Sequence, residues 1–67
     1  MNQNNTIYAQ AEVHNNYGVR LFKENKYAEA RQHYEQAIQL KPDYLQAYFN
    51  LGLLFIAETQ LEKAIIQ

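Results

Sequence analysis

An enzyme needs a nucleophile or a base held by an orienting partner. The nearest approach to that here is His33 with Glu29 four residues before it. An i,i+4 pair on a solvated helix face accounts for this spacing without any chemistry. His14 lies 19 residues from His33, which is not the helical spacing of a metal-ligand pair. The chain has no cysteine, so disulfides and thiolate metal sites are excluded. It has no glycine-rich phosphate loop. Six tyrosines invite the idea of base stacking. With six basic and seven acidic residues, however, the net charge is −1, and no basic stripe is present to hold a nucleic acid strand. The expectation is a protein without catalytic residues, cofactor, metal or nucleic-acid partner.

The elements that position these side chains are helices. At 67 residues there is room for one domain, and chains of this size bury only about 60% of their unfolded surface. Small domains are commonly supported by disulfides, metals or self-association; the first two being absent, self-association remains. The longest apolar run, Leu51 to Ala57, has seven residues against the roughly 20 of a membrane span. No basic and apolar signal-peptide blocks open the chain, which makes the cytoplasm the default compartment.

Residues 1–5 are polar and are expected to be frayed. A first helix starts near Asn5 or Thr6, either of which can cap it, and runs to about Glu24. Ile7, Ala11, His14, Gly18 and Leu21 fall on one face of it. Gly18 inside a helix points to another backbone passing close. Asn25 and Lys26 break the pattern, asparagine being one of the few residues that tolerates the left-handed conformation. A second helix covers about Tyr27 to Leu40. Tyr27, Ala30, Tyr34, Ala37, Ile38 and Leu40 face inward, and Glu29, Gln32, Glu35, Gln36 and Gln39 outward. Pro42 ends it. Asp43 is expected to cap a third helix, with Gln46 as its capping-box partner.

The chain repeats itself. Gly18 and Gly52 stand 34 residues apart, as do Asn16 and Asn50, Glu24 and Glu58, and Ala30 and Ala64. His14, Tyr17-Gly18, Leu21, Tyr27, Ala30, Tyr34, Ala37 and Pro42, followed by Tyr48, Leu51-Gly52, Phe55, Leu61 and Ala64, resemble the tetratricopeptide repeat (TPR), a 34-residue helix–turn–helix unit that stacks into a solenoid. The resemblance covers about residues 11–67 and amounts to one and a half repeats. It implies an all-α fold: a first repeat over residues 6–44 with an N-terminally extended helix, and a truncated second repeat over 45–67. It also places His14 at a large packing position, as a partly buried imidazole. Four features depart from the family pattern. Arg31 replaces an aliphatic residue, Asn25 and Thr59 replace turn glycines, Lys26 and Gln60 are poor caps, and no capping helix follows.

Thr59 leaves two forms open. In one, the second repeat turns as the first does. In the other, β-branched Thr59 resists the left-handed turn conformation and residues 44–67 form one continuous helix. Leu51, Leu54, Glu58, Leu61 and Ile65 keep helical spacing through the supposed turn. A continuous helix would give up its own hairpin packing and take it from another chain, by exchange between protomers.

The resemblance further implies a groove lined by the first helix of each repeat. Its residues are Glu12, Asn15, Asn16, Val19, Phe22 and Lys23 from the first repeat, and Gln46, Phe49, Asn50, Leu53, Ile56 and Ala57 from the second. A family clamp for a C-terminal carboxylate places Lys and Asn one turn apart. Asn15 and Val19 occupy those places here, so that clamp is not expected. Leu51, Leu54, Phe55, Leu61 and Ile65 are expected to drive self-association. The functional expectation is therefore a non-catalytic protein–protein interaction module that binds copies of itself. The alternative is a groove-type adaptor for a peptide or amphipathic helix, within a longer repeat array.

Overall fold

A computed structural model describes residues 3–66. Three helices, α1 (Gln3–Lys23), α2 (Tyr27–Leu40) and α3 (Leu45–Ile66), account for nearly all of them, and no strand occurs among the described residues. α1 begins at Gln3, ahead of the expected caps Asn5 and Thr6. Of the 1–5 segment expected to be frayed, residues 3–5 are placed within the helix, and residues 1 and 2 lie outside the described residues. The physical reason is that Gln and Asn are indifferent helix residues, not breakers, and neither glycine nor proline interrupts this stretch.

The α1–α2 hairpin is made by one residue. Asn25 has φ 65°. The Lys26 amide donates to the Leu21 carbonyl at 2.9 Å and the Asn25 amide to the Phe22 carbonyl at 2.9 Å. That pair of bonds satisfies the end of α1 in a Schellman arrangement. α2 then packs antiparallel on α1, and Gly18 is what lets it come close. A Cβ at Gly18 would stand 2.5 Å from Cε1 of Tyr34, so the buried tyrosine ring occupies the space a side chain would need.

Pro42 and Asp43 form the second turn, with the Tyr44 amide donating to the Lys41 carbonyl at 3.0 Å. Tyr44 takes the position before the first helical residue of α3 that Asp43 was expected to hold. The reason is packing: Tyr44 is buried with Ala11, Ala37 and Ala47. The Lys41 ammonium sits over the rings of Tyr8 and Tyr44, 5.0 and 4.8 Å from their centroids, and covers that end of the core. A second cluster, Leu21, Ala30, Tyr34 and Leu54, joins all three helices.

α3 does not turn. It runs as one helix of 22 residues through Glu58 to Leu61. Of the two forms the sequence left open, the continuous helix is the one adopted. The Thr59 hydroxyl donates to the Phe55 carbonyl at 2.9 Å, a back-bond along the helix that needs helical backbone at Thr59. Where Asn25 turns the chain, Thr59 at the matching place carries it straight on.

Candidate interaction surface

Five of the residues assigned to the groove come together around one cleft. Val19, Phe22 and Lys23 of α1, Asn50 and Leu53 of α3, and Tyr34 beneath them line an open cleft of about 170 Å³. α1 and α3 are both packed on α2, which leaves this cleft between them. Glu12, Asn16, Gln46, Phe49 and Ile56 are exposed but do not line it. Asn15 is buried and is withdrawn from the groove, a correction to its expected role. Its Oδ1 accepts a hydrogen bond from Asn50 Nδ2 at 3.0 Å. Asn16, the match of Asn50 in the first repeat, is exposed.

Burial pushes the Tyr44 phenol above its ordinary pKa and the nearby Glu12 carboxylate pushes it further. The Tyr34 phenol is also pushed up, by burial alone.

His14 and His33, read apart in the sequence, meet across the α1–α2 interface. Their Nδ1 atoms are 3.1 Å apart and their ring centroids 5.3 Å. The rings therefore meet nitrogen to nitrogen, one Nδ1–H donating to the other Nδ1. The Tyr17 ring stacks on His33 with centroids 4.5 Å apart. Once Asn25 is placed at the turn, antiparallel pairing sets residues 14 to 17 opposite 33, and that was the available signal. Among the described residues no group of three or more His, Cys, Asp or Glu side chains gathers to hold a metal ion.

Arg31, the unusual residue of α2, pairs with Glu58 of α3. Glu24, the counterpart of Glu58, instead pairs with Arg20 and Lys26, each at 3.5 Å. The Arg31–Glu58 pair lies where α3 leaves the hairpin. Beyond it, Leu61 and Ile65 continue the inner face of α3, with no helix among the described residues beneath them.

The remaining faces of α3 are apolar and bare. Phe55, Ile65 and Ile66 are 70%, 76% and 84% exposed. Tyr48, Phe49, Leu53, Ile56 and Leu61 are exposed as well. A Cβ added at Gly52 would meet nothing within 4 Å. At the matching place in α1, Gly18 holds the ring of Tyr34. Of the five residues expected to drive self-association, Phe55, Leu61 and Ile65 are exposed and Leu51 is half-buried. Leu54 is not available: it is covered by Leu21, Ala30 and Tyr34 of its own chain, because the inner face of α3 seats on the hairpin.

No helix among the described residues is long and apolar enough to cross a membrane. Comparison with curated proteins and with solved structures returns no significant match. The family model described as TPR repeat matches residues 18–58, which is more than half of the chain and spans the Asn25 turn, all of α2 and α3 as far as Glu58. The chain belongs to the tetratricopeptide repeat family, a family of protein–protein interaction modules.

Proposed function

We propose that this chain is a non-catalytic TPR module that self-associates through the uncovered surface of α3. The observation that carries the reading is the mismatch between α3 and its cover. A helix apolar on all sides is normally buried on all sides. α3 has apolar residues around its whole circumference, and its own chain covers one face. Burying Phe55, Leu61 and Ile65 is worth about 1.5–3 kcal/mol each. Together they rival the total stability of a small domain, about 5–15 kcal/mol.

A second reading has its own support in the cleft between α1 and α3. Val19, Phe22 and Leu53 present an apolar floor with Lys23 and Asn50 beside it, a fit for an amphipathic helix from another protein. Sedimentation equilibrium over a wide concentration range tests the leading reading, with a dimer or larger species expected. A monomer at every concentration would overturn it. The search would then turn to peptides, with heteronuclear NMR shifts at Val19, Asn50 and Leu53 as the signature of cleft binding.

A further inference from the structure

Tyr48, Gly52, Phe55 and Thr59 follow one another at steps of four, three and four residues, the spacing that keeps a single stripe along a helix. This stripe is separate from the inner face of α3, where Ala47 and Leu54 are buried against the hairpin. Tyr48 is 49% and Phe55 70% exposed. Between them Gly52 is a notch, since a Cβ there would meet nothing within 4 Å. The Thr59 hydroxyl is turned back onto the Phe55 carbonyl, which leaves the methyl as its outward group. The protein shows once how such a notch is filled. At Gly18, the counterpart of Gly52, the ring of Tyr34 sits where a side chain would be.

The stripe therefore holds a notch and, one turn away, an exposed ring that leaves the notch of its own helix empty. A knob and its hole in one stripe are self-complementary about a two-fold axis, which selects a second copy of this chain as the occupant. We infer that two copies pair antiparallel along this stripe, the Phe55 ring of each seated over Gly52 of the other. The inference rests on the self-association proposed above and specifies its face and register. The two-fold axis passes midway between positions 53 and 54. Phe55 then meets the partner's Gly52, and Tyr48 meets the partner's Thr59. All four residues lie on the same side of α3, so each contact and its reverse form together. Gly52 has no side chain to hold the helices apart, and the two axes can approach to the short end of the usual 8–10 Å. Thr59 stays helical throughout, as it is in the single chain.

The chain has no cysteine, so two single variants, Tyr48→Cys and Thr59→Cys, read the register. Positions 48 and 59 are eleven residues apart, about 16 Å at the ~1.5 Å rise of an α-helix. A disulfide needs Cα atoms about 4.4–6.8 Å apart. In the antiparallel pair neither variant can link to itself. An equimolar mixture, oxidised and run on a non-reducing gel, is expected to give the mixed covalent dimer. Self-linking of either variant as readily as the mixture would overturn the register. Gly52→Leu is the second probe, and it fills the notch at a site that is open in the single chain. It is expected to keep the helical circular dichroism and to weaken association by about tenfold or more in sedimentation equilibrium. Unchanged association of Gly52→Leu would overturn the pairing, whatever the cysteine variants do. Sedimentation of the unaltered chain separates the two proposals. A dimer that neither links in the mixture nor responds to Gly52→Leu removes this pairing and leaves self-association, and a monomer removes both.

Discussion

Replacing Thr59 with glycine should bend α3. Closing the second repeat as the first is closed needs a left-handed residue at position 59, the role Asn25 fills at φ 65°. For a residue with a Cβ that conformation costs roughly 1–2 kcal/mol, and glycine removes the cost. Glycine also weakens the straight form: in a helix interior it is about 0.4 kcal/mol worse than threonine by propensity. The back-bond from Thr59 to the Phe55 carbonyl goes with the hydroxyl. Together these shift the balance toward the closed hairpin by about 1.5–2.5 kcal/mol, a factor of roughly 10 to 60. Two measurements read the shift. Backbone chemical shifts of Glu58 to Leu61 should leave the helical range in Thr59→Gly, and sedimentation should show weaker association, since each chain can now cover its own Phe55. Helical shifts at 58–61 and an unchanged association constant in the variant would refute the idea that Thr59 holds α3 straight.

The two glycines should respond oppositely to alanine. Gly18→Ala drives a Cβ into the Tyr34 ring and should cost about 1–3 kcal/mol in chemical denaturation, whereas Gly52→Ala enters open space and should stabilise the dilute protein by about 0.5–1 kcal/mol. Asn50→Ala strips the buried Asn15 of its partner and should cost about 1–3 kcal/mol, with a smaller total loss when Asn15 is replaced by an apolar residue as well; a urea titration of the two single variants and the double variant checks this. Burial raises the Tyr34 and Tyr44 phenols above the unfolded value of about 10, so the stability this contributes is complete below pH ~10 and is lost as pH climbs through the folded values. Denaturation midpoints should hold up to about pH 9 and fall beyond about pH 10, in step with tyrosinate absorbance at 295 nm.

The helices were legible because the chemistry that makes them is local. Ala11, Leu21, Ala30, Tyr34 and Ala37 fall at helical spacing, and all are buried. Asn25 announced its turn by type, and Thr59 announced its resistance to one. What was not legible depended on how helices sit against each other. Asn15 and Asn50, 35 residues apart, become partners only once α3 is laid on the hairpin. His33 reads as a surface residue until the turn sets it opposite His14 and Tyr17. Leu54 was expected on the self-associating surface because a truncated second repeat leaves part of its cover missing. Its burial follows from the three-helix contact, which no periodicity within α3 reveals.

The Asn15–Asn50 bond has one more consequence. A helix that is greasy on every side has little reason to stop at any one position along its bed. Sliding by one turn, about 5.4 Å, would trade one leucine contact for another at little cost. It would also strand the amide of buried Asn15 away from water and from its partner. Burying an unpaired amide costs about 1–3 kcal/mol, so this one polar bond acts as a detent. It fixes where α3 comes to rest, and with that the length of helix carried free past Glu58.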